Sequence, residues 1–123
     1  KPRILIVDDH PLNRRVPALL LKQHGWVCAR ASSGRQALTK LAAARFDAVL
    51  LDLSMPDISG YELCHRIRTD EALRHLRVIA YTSLSSNEDV IRGAGFDALL
   101  YKPFTHAKLL SVLAGTPAGA LAS

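Results

Sequence analysis

The sequence predicts an α/β fold, a doubly wound, five-stranded parallel sheet with five helices on its two faces. Two observations point to it. Short apolar, β-branched bursts such as ILIV (4–7) alternate with segments of helical periodicity along the whole chain. The 123 residues are enough for one domain with a proper core, and no internal repeat or second set of elements interrupts the alternation. Alternating strands and helices imply parallel strands joined by right-handed crossovers, with helices covering both faces.

The elements follow in order. Ile4 to Val7 is a buried strand. Leu12, Val16, Leu19 and Leu20 then recur at helical spacing and predict an inward face, with the helix ending near Gly25. Pro17 falls inside that helix and is expected to kink it or force a local adjustment. Trp26 to Ala29 is the second strand. The triplet SSG serves as cap and turn before a helix over Gln36 to Ala44, with Ala37, Leu38 and Leu41 inward. Ala48 to Leu51 is the third strand, and Gly60 opens a helix whose apolar face is Leu63, Cys64 and Ile67. Val78 to Tyr81 is the fourth strand, Glu88 to Arg92 a short helix, Ala98 to Tyr101 the fifth strand and Ala107 to Leu113 the last helix.

Composition narrows the function classes. Hydrophobic content of 49% and a charged fraction of 22% are ordinary for a soluble globular domain. No apolar run approaches the roughly 18 to 20 residues of a membrane span, and no leader argues for secretion, so a cytoplasmic location is expected. Cys28 and Cys64 lie in different segments without a CxxC pattern and are read as reduced core thiols. The net charge of +5 is spread over small groups such as NRR (13–15) and RHLR (74–77), without interleaved aromatics. Direct nucleic-acid binding is therefore not expected. The chain starts at Lys1 without a Met, and its tail TPAGALAS (116–123) has linker composition, so residues 1–115 are expected to be a module of a longer protein.

In open sheets of this kind, functional groups gather at the carboxyl ends of the strands. Asp8 and Asp9 follow the first strand, Asp52 ends the third, Thr82 and Ser83 follow the fourth, and Lys102 with Pro103 follows the fifth. Three carboxylates against one lysine leave an excess of about −2, and two carboxylates 5 Å apart repel by roughly 3 kcal/mol at an effective dielectric near 20. Such a cluster either raises a pKa or binds a hard divalent cation, Mg²⁺ above all; no Cys/His set suits zinc. His10, beside the acidic pair, is read as a helix-entry residue. A carboxylate nucleophile, a divalent metal, a lysine and a hydroxyl together make up the equipment for phosphoryl transfer.

The motifs VDD, LLDLSMPDISG, AYTS and YKPF, in this order and at these spacings, resemble the receiver domain of two-component response regulators, over about Arg3 to Leu113. The resemblance implies a flavodoxin-like sheet of order 2-1-3-4-5. It implies that Asp52 is the phosphoacceptor and that Asp8, Asp9 and Asp52 hold Mg²⁺ with the backbone carbonyl of Ser54. Lys102 would contact the phosphoryl group and join Pro103 by a cis bond. Thr82 would be the switch hydroxyl, with small Ser83 leaving room beside it. Ser54 and Leu84, two residues past the aspartate and the threonine, would tune phosphoryl lifetime, apolar Leu84 slowing its loss. The implied donor is a histidine kinase or histidine phosphotransfer domain, and the implied recipient a downstream effector. None of the five His residues of this chain stands in such a donor signature. Neither membrane contact nor an oligomeric state is implied.

Three features depart from the family pattern. Leu99 stands three residues before the lysine, where an aromatic is usual, while Tyr101 adjoins Lys102 and points the same way. The stretch between Thr82 and Lys102 is about two residues short, trimming the fourth helix by roughly 3 Å. Pro17 is unexpected in the first helix. Among other readings, a dehalogenase-type phosphohydrolase needs a carboxylate where Ser54 stands. A flavodoxin-like flavin binder needs a phosphate loop after the first strand. A pseudo-receiver that is never phosphorylated is the remaining alternative.

Overall fold

A computed structural model of the chain describes residues 1–83 and 88–114; Leu84 and the 116–123 tail lie outside the described residues. Its elements are β1 (Arg3–Val7), α1 (Pro11–Gln23), β2 (Val27–Ala31), α2 (Gly34–Ala43), β3 (Ala48–Asp52), α3 (Gly60–Thr69), β4 (Arg77–Thr82), α4 (Glu88–Gly93), β5 (Ala98–Tyr101) and α5 (His106–Leu113). The strands form one sheet of order β2-β1-β3-β4-β5, every pair parallel, which is the flavodoxin-like topology.

Period-2 alternation sorts the strand side chains to two faces. Leu5, Val7, Val49, Leu51, Val78, Ala80 and Leu99 pack with α2, α3 and α4. Ile4, Ile6, Leu50, Ile79, Tyr81 and Leu100 pack with α1 and α5. The two cysteines belong to opposite faces of the sheet, Cys28 projecting from β2 itself and Cys64 from α3. Cys28 is half-buried near the carbonyl of Ala18, and Cys64 is buried near that of Ala94; both thiols are free, and burial pushes both pKa values up.

The first helix corrects the sequence expectation. Leu12, Val16 and Leu19 face solvent, Leu12 being 70% exposed, and Leu20 is only half-buried; the core side consists of Pro17 and Leu21 with Ala18 beside them. The helix carries two apolar stripes, and periodicity alone does not say which turns inward. Tertiary contacts decide: Arg14, on the inward stripe, reaches the carbonyl of Asp8. The helix runs unbroken through Pro17, whose ring faces the core. It ends at Gly25, whose φ of 88° suits glycine at a helix C-terminus. Trp26 donates its N–H to the Leu21 carbonyl and packs in the core ahead of β2, so that strand begins one residue later than expected and runs to Ala31.

Helices α2, α3 and α5 begin on side-chain caps. Ser33 Oγ accepts the Gln36 N–H, Ser59 Oγ the Glu62 N–H and Thr105 Oγ1 the Lys108 N–H. The α2 cap has a long-range partner. Asp57, in the β3–α3 loop, accepts the N–H groups of Gly34 and Arg35 at 3.1 and 3.0 Å, tying that loop to α2. Gly60 is required by a close approach: a Cβ there would stand 2.6 Å from the Asp52 carbonyl oxygen and 2.7 Å from the Leu53 Cα.

Charge follows the topology. Residues 1–46 carry nine basic and two acidic side chains, residues 47–123 seven and nine. The strand order puts the first group at the β2 edge of the sheet and the second toward β5. No helix among the described residues is long and apolar enough to cross a membrane.

Candidate functional site

The carboxyl ends of β1, β3, β4 and β5 converge. Asp8 is fully buried, Asp52 4% exposed and Thr82 7% exposed, the buried polar residues at the end of an otherwise apolar sheet. Asp8 and Asp9 extend from β1, where the Asp8 N–H bonds to the Ala31 carbonyl of neighbouring β2. Asp8 also uses its own carboxylate to accept the His10 N–H at 2.9 Å, which fixes the entry to α1. Asp52 closes β3 and accepts the Ser54 N–H at 3.1 Å.

Lys102 joins these acids. Its backbone N–H bonds to the Thr82 carbonyl at 2.8 Å, holding the end of β5 to β4. Its ammonium lies 3.2 Å from Asp8 Oδ2 and 3.5 Å from Asp52 Oδ1. The Lys102–Pro103 bond is cis. A cleft of about 300 Å³ is lined by Asp9, His10, Asp52, Ser54, Thr82, Ser83 and Lys102. Asp8, Asp9 and Asp52 each offer an oxygen within 4.8 Å of the others.

Burial is the main cause that pushes the Asp52 carboxyl above its ordinary pKa; the Ser54 N–H opposes it, Asp8 and Asp9 add to it, and Lys102 opposes it. The neighbouring charges act in both directions on a shift that burial dominates, and three carboxylates face one ammonium here. The donor set is all oxygen, which suits a hard divalent ion rather than zinc.

The structure thus brings together Asp8, Asp9, Asp52, Ser54, Thr82, Ser83 and Lys102 from the sequence expectation. Leu99 is buried on the α3–α4 side, with half-buried Tyr101 packed on the same side. Neither lines the cleft. Three participants carried no obvious local signal. Arg14 braces the Asp8 carbonyl, Asp57 anchors the loop after Asp52, and Tyr81 lies beneath Lys102, whose ammonium is 4.6 Å from the ring centroid. For Tyr81 the available signal was its place one residue before Thr82 on a strand between those of Asp52 and Lys102.

A family model described as the response regulator receiver domain matches residues 4–114. The chemotaxis protein CheY-3 of Vibrio cholerae is 39% identical over 110 residues, covering 87% of this chain and 85% of that protein. A gliding motility regulatory protein of Myxococcus xanthus is 37% identical over 102 residues, covering 81% of this chain; the match spans 13% of that longer protein. Among solved structures, the receiver domain of a sensor histidine kinase from Pseudomonas aeruginosa, with magnesium ion coordinated in its active site cleft, superposes with a TM-score of 0.83 at 32% identity, covering 92% of this chain and 94% of that one.

Proposed function

Because the chain belongs to the response regulator receiver domain family, we propose that it is a phosphoacceptor module, taking a phosphoryl group onto Asp52 and changing its affinity for a partner in consequence. The observation that carries this reading is the convergence of Asp8, Asp9 and Asp52 on the ammonium of Lys102. The same reading takes the donor to be a histidine kinase or histidine phosphotransfer domain, the recipient a downstream effector, and the compartment the cytoplasm. Receiver domains are signalling modules; here the chain's own groups assist the transfer.

The oxygen donors fit Mg²⁺: Asp8, Asp9, Asp52 and the backbone carbonyl of Ser54 would hold it. When bound, the ion supplies positive charge for the phosphoryl oxygens. The rest falls to this chain's residues. An Asp52 carboxylate oxygen attacks phosphorus, and the bond from phosphorus to the donor's imidazole nitrogen breaks, its electron pair leaving on that nitrogen. The Ser54 N–H holds the other part of the carboxylate in orientation. The Lys102 ammonium meets charge developing on a phosphoryl oxygen, and the Thr82 hydroxyl donates to another. Exposed Ser83 leaves space beside them. Leu99 has no ring to swing, so in this reading the output runs through the β4–β5 ends, which the Lys102 N–H to Thr82 carbonyl bond joins.

Intact-mass spectrometry after incubation with acetyl phosphate, with and without Mg²⁺, tests the proposal. One Mg²⁺-dependent phosphoryl adduct, absent in Asp52→Asn, supports it. No adduct on the folded protein moves the reading to a binding scaffold that is never phosphorylated.

A further inference from the structure

We propose that Tyr81 is the positioning residue for Lys102, its ring acting as the platform that holds the lysine ammonium over the gap between Asp8 and Asp52. This inference rests on the phosphoacceptor reading for its consequence, though not for its geometry. The lysine ammonium stands 4.6 Å above the centroid of the Tyr81 ring, well within cation–π reach. Tyr81 is in register with Asp52 on β3 and with Leu100 on β5, so its ring lies beside the acid and just below the level of Lys102.

The ring itself is fixed. Tyr81 is 4% exposed, and Phe104 meets it edge-on, centroids 5.9 Å apart at 65°. The segment YKPF therefore supplies both the lysine above the ring and the aromatic that braces it. A lysine needs such help: its four-carbon stem is flexible, and this one is 27% exposed. Two carboxylates alone attract the ammonium to either acid, whereas a ring beneath it leaves only the position between them. The phenol stays neutral, because burial and then Asp8 and Asp52 push its pKa up to about 12, so it adds no competing anion.

The lysine then waits where a phosphoryl oxygen on Asp52 would arrive. This is pre-organisation rather than chemistry, and it differs from a core-filling role in two measurable ways. The first readout needs neither metal nor phosphoryl group. Protons beside the Lys102 ammonium lie over an aromatic face, so their NMR signals are displaced upfield in the wild type. The displacement persists in Tyr81→Phe and disappears in Tyr81→Leu. The second readout is affinity for the phosphoryl mimic beryllofluoride, followed by fluorine NMR in the presence of Mg²⁺. Tyr81→Leu is expected to weaken it about tenfold, equivalent to 1.4 kcal/mol, and Tyr81→Phe to rescue it. In a Lys102→Met background the Tyr81→Leu change should add nothing, because the residue acts through the lysine.

An equal loss in both backgrounds, or an unshifted Lys102 signal in the wild type, overturns the proposal. If wild type shows the lysine shift but binds no beryllofluoride, the phosphoacceptor reading fails while the platform geometry stands.

Discussion

Replacing Gly60 by Ala probes the contact between the phosphoacceptor strand and the start of α3. The added Cβ would lie 2.6 Å from the Asp52 carbonyl oxygen, 2.7 Å from the Leu53 Cα and 3.1 Å from Leu53 Cδ2. The two nearest atoms are backbone, and neither can rotate away. Comfortable carbon contacts begin near 3.5 Å, so α3 and the end of β3 must separate by roughly 1 Å. Over-packing of this kind costs 1–3 kcal/mol, and two backbone contacts in a fully buried position place Gly60→Ala near the top of that range, at about 3 kcal/mol. With an m-value of about 2 kcal/mol/M, the urea midpoint falls by about 1.5 M. Gly93 supplies the comparison. A Cβ there meets nothing within 4 Å, so Gly93→Ala should leave the midpoint unchanged or raise it. Equilibrium urea unfolding followed by far-UV circular dichroism reads both variants. A Gly60→Ala midpoint within 0.3 M of wild type would refute the claim that this glycine is required by close approach.

The remaining predictions concern the site and the corrected helix. Asp52 has a folded pKa above its ordinary value of 3.8, so its charged form costs stability at neutral pH, and the cost fades as pH falls through the raised pKa toward 3.8. In the absence of divalent metal, Asp52→Asn should therefore be more stable than wild type at pH 7, by about 1 kcal/mol, with the difference vanishing near pH 3; urea titrations across that range test it. Lys102→Met leaves the buried Asp8 and Asp52 without their ammonium and should cost about 1–3 kcal/mol without metal. The same variant should bind Mg²⁺ more tightly than wild type in calorimetry, since no cation competes for the carboxylates; weaker binding would contradict this. On α1, Leu21→Ala should cost 2–5 kcal/mol, whereas Leu19→Ala should stay within about 0.5 kcal/mol, reversing what periodicity alone suggests.

The site was legible because parallel strands deliver their carboxyl ends to one rim, whatever the spacing of their residues in the chain. Asp8, Asp52, Thr82 and Lys102 each follow an apolar burst, so the topology assembles them with no further information. The inward face of α1 was not legible. Leu12, Val16 and Leu19 are larger and more apolar than Pro17 and Ala18, and only contacts made elsewhere, such as Arg14 on the Asp8 carbonyl, turn the helix the other way. The start of β2 was missed for a related reason. Trp26 has the bulk of a strand residue, but it follows a glycine with positive φ and closes the helix before the strand begins. Asp57 reaches across 23 residues to cap α2, and Tyr81 meets Lys102 through strand register. Neither relation leaves a mark in local pattern.

The division of charge between the two edges of the sheet gives the molecule a permanent electrical axis, running from the basic β2 side to the more acidic β5 side. An approaching acidic body exerts a torque on this axis before any surfaces touch, and turns the β2 edge toward itself. At physiological ionic strength that torque acts only over the last ~8 Å of approach, and added salt shortens the range further. Salt therefore slows the capture of acidic partners at the encounter stage, even where the final contacts are unaffected.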